Sequence, residues 1–157
     1  MGSPDLRDVL AALPGGVVVV AAPVEGGFRG LTATSFVSVS LEPPLVLVGL
    51  DGLSATTDAV RTAGRFSASL LERRQEFLAE RFAGRAPLVV PDWREVPHRL
   101  SPGGLPFVAE AVAWFECRLE QLHEAGDHVV AIGAVTHAER GGGEPLVHWD
   151  RSFWRLT

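Results

Sequence analysis

The 157-residue chain contains no lysine and no tyrosine, so all fourteen of its basic residues are arginines. The absence of lysine excludes the phosphate-binding lysine of a P-loop and the Schiff-base lysine of a pyridoxal phosphate enzyme. A phosphate group would have to be held by arginine, by hydroxyl groups or by backbone N–H groups. The net charge of −5 and the scattered arginines argue against nucleic-acid binding, which requires concentrated positive charge.

Cysteine and long apolar runs are also scarce. Cys117 is the one cysteine, which excludes an internal disulfide, and its strand-like surroundings predict a packed apolar residue rather than a nucleophile. No apolar run reaches the roughly 18 residues that span a bilayer, and the first residues lack a signal-peptide pattern. We therefore expect a cytoplasmic protein with no membrane partner, and a chain of this length to form one domain.

Histidine is present but does not form a recognisable metal motif. His123 and His128 lie five residues apart across a predicted turn, and no third ligand lies nearby in the sequence. We therefore predict no metal site. The Gly-x-Ser-x-Gly, Cys-x-x-Cys and Gly-x-Gly-x-x-Gly motifs are absent from the sequence as well.

The most informative segment that is present runs from residue 30 to residue 50. Hydroxyl residues alternate along its first half: Thr32, Thr34, Ser38 and Ser40. In a strand, this alternation would place a row of hydroxyls on one face. With exposed backbone N–H groups, such a row can bind a flat polar heterocycle, or it can simply face water at a sheet edge. Pro43 and Pro44 then separate it from a buried apolar strand, residues 45–48.

Periodicity and turn residues predict a mainly β protein with flanking helices. A first helix is predicted to be capped by Ser3, with Pro4 at its first position, and to carry Leu6, Val9, Leu10 and Leu13 on one face. Further helices are predicted over residues 55–62 and over 72–83, the latter with Phe77, Leu78 and Phe82 inward. Strands are predicted over residues 17–22, 65–71, 111–122, 128–136, 145–149 and 153–156. Glycine turns between the strands favour hairpins and a small antiparallel barrel, whereas residues 85–106 show no period.

Two further groups of residues could carry chemistry. In Gly126-Asp127-His128, the aspartate could orient an imidazole at the mouth of a strand, or the pair could be a turn aspartate beside an exposed histidine. The residues from His148 to Phe153 could form the rim of a pocket or could pack within a terminal hairpin.

The segment 30–48, Glu80-Arg-Phe-Ala83, Glu116-Cys117 and Gly126-Asp-His128 with Gly133 together resemble the flavin reductase family. Members are NAD(P)H:flavin oxidoreductases that feed two-component monooxygenases, and the resemblance extends from about Leu6 to Leu156. It implies a single domain over residues 1–157 with the FMN-binding split β-barrel fold, antiparallel and of Greek-key type. It also implies a homodimer with the flavin near the subunit interface.

The same resemblance implies the residues of a binding site. Thr34, Ser35, Phe36 and Val37 would line the flavin ring and ribityl chain. The turn formed by Asp51, Gly52, Leu53, Ser54, Ala55, Thr56 and Thr57 would surround the phosphate, with Arg85 close by. His128 would face the nicotinamide as a positioning group and possible proton donor, and Trp149, Asp150, Arg151 and Phe153 would cover it.

The implied activity is hydride transfer from NADH or NADPH to FMN, with FAD as a possible alternative, followed by diffusion of reduced flavin to a monooxygenase. Relatives commonly carry a basic residue in the turn where this chain has Asp51 and Gly52, so we expect weak flavin retention. Two alternatives remain open at this stage. The protein could keep FMN and act on its own substrate, or it could be a non-catalytic dimeric flavin-binding or scaffold subunit.

Overall fold

The computed structural model of the protein describes residues 5–83 and 93–156. The helices in this part of the chain are α1 (Leu6–Leu10), α2 (Ala55–Ala63) and α3 (Glu76–Phe82), with a short 3-10 helix over Trp93–Glu95. The strands are β1 (Gly15–Gly16), β2 (Val18–Val24), β3 (Gly27–Ala33), β4 (Val37–Leu41), β5 (Pro44–Asp51), β6 (Arg65–Leu70), β7 (His98–Leu100), β8 (Pro106–Val108), β9 (Ala113–Ala125), β10 (His128–Arg140), β11 (Leu146–Trp149) and β12 (Ser152–Arg155). Among these helices, none has the length and apolar character needed to cross a membrane.

Seven strands form one sheet in the order β3-β2-β6-β9-β10-β5-β4, and every neighbouring pair is antiparallel. The two outermost strands, β3 and β4, follow one another in the sequence and are joined by residues 34–36. Because this connection is so short, the sheet must curl until its two edges approach each other. The predicted mainly β, antiparallel barrel with flanking helices is confirmed.

Strand β2 is buried on both faces, which explains its continuous apolar sequence. Val18 and Val20 point into the barrel interior, where they join a cluster that includes Phe66. Val19 and Ala21 point outward into a second cluster, which is covered by α3, the hairpin of β7 with β8, and the small sheet of β1, β11 and β12. A strand buried on both faces cannot alternate polar with apolar residues, so the run is apolar throughout.

The predicted hydroxyl-rich strand is in fact divided in two. The chain leaves the sheet between Ala33 and Val37, so the hydroxyls do not form one row along one face. Thr32 donates to the carbonyl of Ala79 in α3 at 2.6 Å. The hydroxyls on either side of the break therefore have different environments, which strict alternation did not predict.

The first and third helices also differ from prediction. Helix α1 begins after Asp5, whose carboxylate accepts from the Arg7 N–H at 3.0 Å, while the predicted cap at Ser3 and Pro4 lies outside the described residues. Helix α3 is shorter than predicted, because the Gln75 side chain accepts from the Glu72 N–H in a turn before it. Phe77 was predicted to point inward, but it is 62% exposed. Leu78 and Phe82 are four residues apart and define the buried face, and Phe77 lies about 100° away from Leu78 around the helix.

Cys117 is buried in the barrel interior, as predicted for a packed apolar residue. Burial, with a smaller contribution from the charge of Glu116, raises the pKa of its thiol to about 12. The thiolate form needed for nucleophilic chemistry is therefore not populated near neutral pH.

A charged network fastens the hairpin of β7 and β8 to the barrel. Arg99 donates two hydrogen bonds to the Glu139 carboxylate, at 2.9 and 3.2 Å, and its guanidinium lies 4.7 Å from the Trp114 ring centroid. His137 Nε2 lies 2.8 Å from Glu139 Oε2. The hydrogen bonds from His137 and then from Arg99 hold the pKa of Glu139 below its ordinary value of 4.5.

This network predicts a pH-dependent contribution to stability. A lowered carboxyl pKa in the folded state stabilises the fold above the ordinary pKa, and that stabilisation is lost as the pH falls through the folded-state value. The free energy of unfolding should therefore be higher for wild type than for Glu139→Gln at pH 7, and the difference should shrink below about pH 4.5. Urea titrations at a series of pH values measure this difference, with Glu25→Gln in the exposed β2–β3 turn as the control. A difference that stays constant from pH 7 to pH 3 would contradict the prediction.

Candidate functional site

Four segments meet around a cleft of about 600 Å³, a volume suited to a small ligand. They are the end of β3 with its connection to β4, the end of β5 with the turn before α2, the C-terminal end of α3, and the start of β10. Five of the predicted site residues line this cleft: Thr34, Ser35, Asp51, Ser54 and His128. Residues far apart in the sequence are therefore brought together as the resemblance implied.

The connection between β3 and β4 presents backbone groups to the cleft. Ser35 uses its hydroxyl within the protein, donating to the Gly49 carbonyl at 3.1 Å and accepting from the Gly49 N–H at 3.0 Å. Within the described residues, the backbone N–H groups of Thr34, Ser35 and Phe36 have no hydrogen-bond acceptor. These three N–H groups are therefore available to a ligand.

Phe36 and Val37 anchor this connection rather than line the cleft. The Phe36 ring is half-buried and packs on Phe115, with ring centroids 5.0 Å apart. Val37 begins β4 opposite Leu47 and is 49% exposed. A direct contact of either side chain with a flavin stays a prediction.

The turn before α2 is held by its own side chains. Asp51 Oδ1 accepts from the Leu53 N–H at 2.8 Å, and the Thr57 hydroxyl donates to the Asp51 carbonyl at 2.6 Å. Ser54 caps α2 by accepting from the Thr56 N–H at 3.1 Å. Because Ser54 also lines the cleft, the positive end of the α2 dipole lies beside it.

The threonines of this turn are less accessible than the predicted phosphate contacts require. Thr56 is 3% exposed and Thr57 is fully buried, with its hydroxyl already bonded to Asp51. The Thr57 side chain therefore shapes the turn instead of reaching a ligand. Of the remaining predicted contacts, Ala55 is the exposed first residue of α2, Gly52 and Leu53 line an adjacent groove, and Arg85 lies outside the described residues.

His128 begins β10 opposite Asp51 of β5 and lies at the border between the cleft and the adjacent groove. Its Nδ1 is 2.8 Å from Asp127 Oδ1. This hydrogen bond, and then the charge of the imidazole, hold the pKa of Asp127 below its ordinary 3.8. An ionised carboxylate can only accept, so Nδ1 donates, which leaves Nε2 free to face a ligand.

The turn before His128 is fixed to the turn that follows β5. The N–H of Gly52 donates to the Asp127 carbonyl at 2.9 Å. A Cβ on Gly52 would lie 2.9 Å from the same oxygen, so a side chain at this position would separate the two turns. Glycine at position 52 therefore keeps His128 close to the α2 end of the cleft.

The predicted nicotinamide cover lies in a different place from His128. Arg151 lines a second cleft, of about 730 Å³, together with residues of the α1 region and with Thr34 and Ser35. The indole of Trp149 donates to the Ala12 carbonyl at 3.0 Å, and the N–H of Asp150 donates to the Ala11 carbonyl at 2.9 Å. Phe153 packs against the outer core cluster and against His148. His128 lines the first cleft and Arg151 the second, and the two clefts share Thr34 and Ser35. A joint role of His128 and the residues from Trp149 to Phe153 stays a prediction.

Gly49, Phe82 and Ala83 line the cleft but were not predicted as site residues. An isolated glycine inside an apolar strand indicates a close approach by other atoms, so Gly49 could have been identified from the sequence. Phe82 and Ala83 belong to a segment that carried the family resemblance, but no sequence pattern placed them at the site. Among residues 5–83 and 93–156, the acidic, histidine and cysteine side chains do not assemble into a candidate metal site.

A family model described as "Flavin reductase like domain" matches residues 10–157. The reductase component of 4-hydroxyphenylacetate 3-monooxygenase from Thermus thermophilus is 38% identical over 152 residues, covering 96% of this chain and 95% of that protein. FMN reductase (NADH) SmoA from Agrobacterium fabrum is 35% identical and covers 99% of this chain and 87% of its own length. A Rhizobium meliloti relative named "Probable flavin reductase" is 41% identical over 87% of this chain, which spans 43% of that longer protein.

Solved structures show the same similarity in three dimensions. The NADH:FAD oxidoreductase SgcE6 of Streptomyces globisporus, in complex with NAD and FAD fragments, superposes with a TM-score of 0.89 at 36% identity, covering 97% of this chain and 91% of that one. BorF, the flavin reductase component of a bacterial two-component tryptophan halogenase, gives a TM-score of 0.88 at 32% identity, with 96% of both chains covered. Fold, sequence and motif order agree, and the chain belongs to the flavin reductase family.

Proposed function

We propose that the protein transfers hydride from a reduced nicotinamide nucleotide to free FMN and releases the reduced flavin to a flavin-dependent monooxygenase. The observation that carries this proposal is the 600 Å³ cleft, where the N-terminus of α2 meets His128 and the connection between β3 and β4. Within the described residues, the backbone N–H groups of that connection have no acceptor. The name of one relative supports the proposal of a monooxygenase partner, because that relative is the reductase component of a monooxygenase.

The residues of the cleft fit a flavin. When bound, flavin supplies N5 as the hydride acceptor, and negative charge develops at its N1–C2=O edge. The backbone N–H groups of Thr34, Ser35 and Phe36 are preorganised donors for such charge. Ser54 and the N-terminal turn of α2 provide the helix-end environment that favours a phosphate.

His128 and Asp127 position the second substrate, the nicotinamide nucleotide. The Asp127 carboxylate fixes the imidazole through Nδ1, so that Nε2 is presented to the nicotinamide and holds it against the flavin. We propose NADH as the donor because SmoA and SgcE6 both carry NADH in their names. FMN is the proposed acceptor, although SgcE6 is named for FAD.

Asp51 makes the flavin site a weak one. Its carboxylate lies in the cleft, on the turn that precedes the α2 N-terminus, where it opposes the attraction of the helix end for a phosphate. A low affinity suits a protein whose flavin must leave after reduction. Flavin therefore behaves here as a substrate that exchanges rather than as a retained prosthetic group.

A homodimer is the proposed assembly, because the single chain exposes apolar side chains that a second copy could bury. Leu6, Val9, Leu10 and Leu13 of the α1 region, predicted to lie on one face of a helix, are each at least 51% exposed. On β4, Val39 is 50% and Leu41 is 90% exposed. Sedimentation equilibrium should give twice the chain mass, and a monomeric mass at micromolar concentration would overturn this assembly. The cytoplasmic location stays a prediction.

Steady-state NADH oxidation by the purified protein tests the activity. The rate should rise with added free FMN and saturate, and the protein should lose bound flavin on gel filtration. A protein that retains one flavin per chain and does not oxidise NADH would instead support a flavoprotein with its own substrate. A protein that leaves flavin fluorescence unquenched at micromolar concentration would support a non-catalytic subunit.

A further inference from the structure

Ser35 occupies a distinctive position where the pairing of β4 with β5 ends. In that ladder, Ser38 lies opposite Val46 and Val37 lies opposite Leu47. Two residues further along, the same register places Ser35 opposite Gly49. Strand β4 has already ended there, so on this side Gly49 meets a side chain instead of a strand, while its other side faces Val130 of β10.

The Ser35 hydroxyl replaces the missing main-chain pair. In an antiparallel ladder, a hydrogen-bonded pair exchanges two N–H···O bonds. Here one hydroxyl does both, accepting from the Gly49 N–H at 3.0 Å and donating to the Gly49 carbonyl at 3.1 Å. Both polar groups of Gly49 are thereby satisfied without using the Ser35 backbone.

The use of a side chain in place of the main chain leaves a backbone group of residues 34–36 without a partner in the sheet. Because the side chain makes the contact, the backbone N–H of Ser35 is spared from pairing with Gly49. Within the described residues, the N–H groups of Thr34, Ser35 and Phe36 have no acceptor. They stay fixed in position, since the hydroxyl fastens the middle of the segment to β5. The next residue, Phe36, is held in place because its ring packs on Phe115.

We propose that Ser35 is a positioning residue: its hydroxyl binds Gly49 in place of the main chain and so holds the N–H groups of residues 34–36 where they meet the flavin. Ser35 then acts through the backbone and not as a hydroxyl ligand of the flavin. This inference rests on the proposed function, because the N–H groups matter for catalysis only if flavin binds there.

Gly49 is the other half of the contact. A Cβ added at Gly49 would lie 3.0 Å from Ser35 Oγ and 3.9 Å from His128 Cδ2. Gly49→Ala should therefore push the hydroxyl away, while the contact to His128 stays at an ordinary van der Waals distance. Ser35→Ala and Gly49→Ala therefore each disrupt the hydrogen bonds between the Ser35 hydroxyl and the Gly49 backbone, one from each partner.

Four variants test the proposal by kinetics with NADH and FMN. Ser35→Ala should lower kcat about tenfold, because displaced donors support charge development poorly. Ser35→Thr keeps the hydroxyl at an exposed position and should recover most of the rate. Ser35→Ala/Gly49→Ala should lose no more than the worse single variant, since both changes remove one contact. Ser38→Ala removes an exposed hydroxyl from the adjoining strand β4 and should match wild type.

Amide hydrogen exchange gives a readout that does not depend on activity. The Gly49 amide should exchange about five- to tenfold faster in Ser35→Ala than in wild type and near the wild-type rate in Ser35→Thr. Unchanged Gly49 exchange, wild-type kinetics in Ser35→Ala, absence of rescue by threonine, or additive losses in the double variant would each overturn the proposal. If wild type itself fails to reduce flavin, the proposed function fails, while the exchange experiment still decides whether Ser35 holds Gly49.

Discussion

Replacing His128 with alanine should lower the rate of hydride transfer from NADH by roughly ten- to a hundredfold and leave FMN affinity close to wild type. The imidazole is held by Asp127 at 2.8 Å, with Nε2 left to face the cleft. Its loss removes the group that we propose to place the nicotinamide, and small errors in the approach of two reacting rings are costly. The flavin contacts assigned to residues 34–36 and to Ser54 do not involve His128, so they should persist.

Anaerobic stopped-flow reduction of FMN by NADH measures this effect, and fluorescence quenching measures FMN affinity. His123→Ala is the matched control, because His123 is an exposed histidine on β9 whose ring bonds Gln121 instead of lining the cleft. Asp127→Asn should give a smaller loss than His128→Ala, since it frees the imidazole without removing it. Unchanged hydride transfer in His128→Ala would remove this residue from the site.

Much of the barrel follows from local sequence rules. Hairpin turns at residues 25–26 and 126–127 carry glycine in the left-handed region, at Gly26 and Gly126, and these turns were predicted as breaks between strands. The continuous apolar run of β2 follows from burial on both faces. The predictions failed where tertiary context decides, as at Phe77, whose direction depends on which side of α3 meets the core.

Part of the lining of the cleft could be predicted from the sequence, but the contact that each side chain makes could not. Motif order identified Thr34, Ser54 and His128, and the structure places all three on one cleft. The use of each hydroxyl was not predictable, because a serine that satisfies a backbone and one that faces a ligand look alike in sequence. Ser35 and Thr57 both proved to be bonded to main-chain groups, which requires knowledge of strand register and of the turn geometry.

Gly133 of β10 is a position in the barrel interior where one added methyl group should lower stability. It pairs with Val46 of β5 and Leu119 of β9, and its Cα faces the closed interior of the barrel. A Cβ there would lie 2.7 Å from Phe66 Cζ and 2.8 Å from Cys117 Cβ, well inside van der Waals contact. Phe66 is 0% and Cys117 is 1% exposed, so neither can move toward solvent.

Gly133→Ala should therefore lower the free energy of unfolding by about 1–3 kcal/mol, the usual cost of overpacking a filled core. For a domain of this size, each kcal/mol lowers Tm by about 2–4 °C in thermal denaturation. Gly142→Ala is the control, because a Cβ at that loop glycine meets no atom within 4 Å. Adding Phe66→Leu to Gly133→Ala should recover part of the loss by removing the ring atom that the new methyl meets. Equal stability of Gly133→Ala and Gly142→Ala would show that the barrel interior has room at this position, contrary to the packing described above.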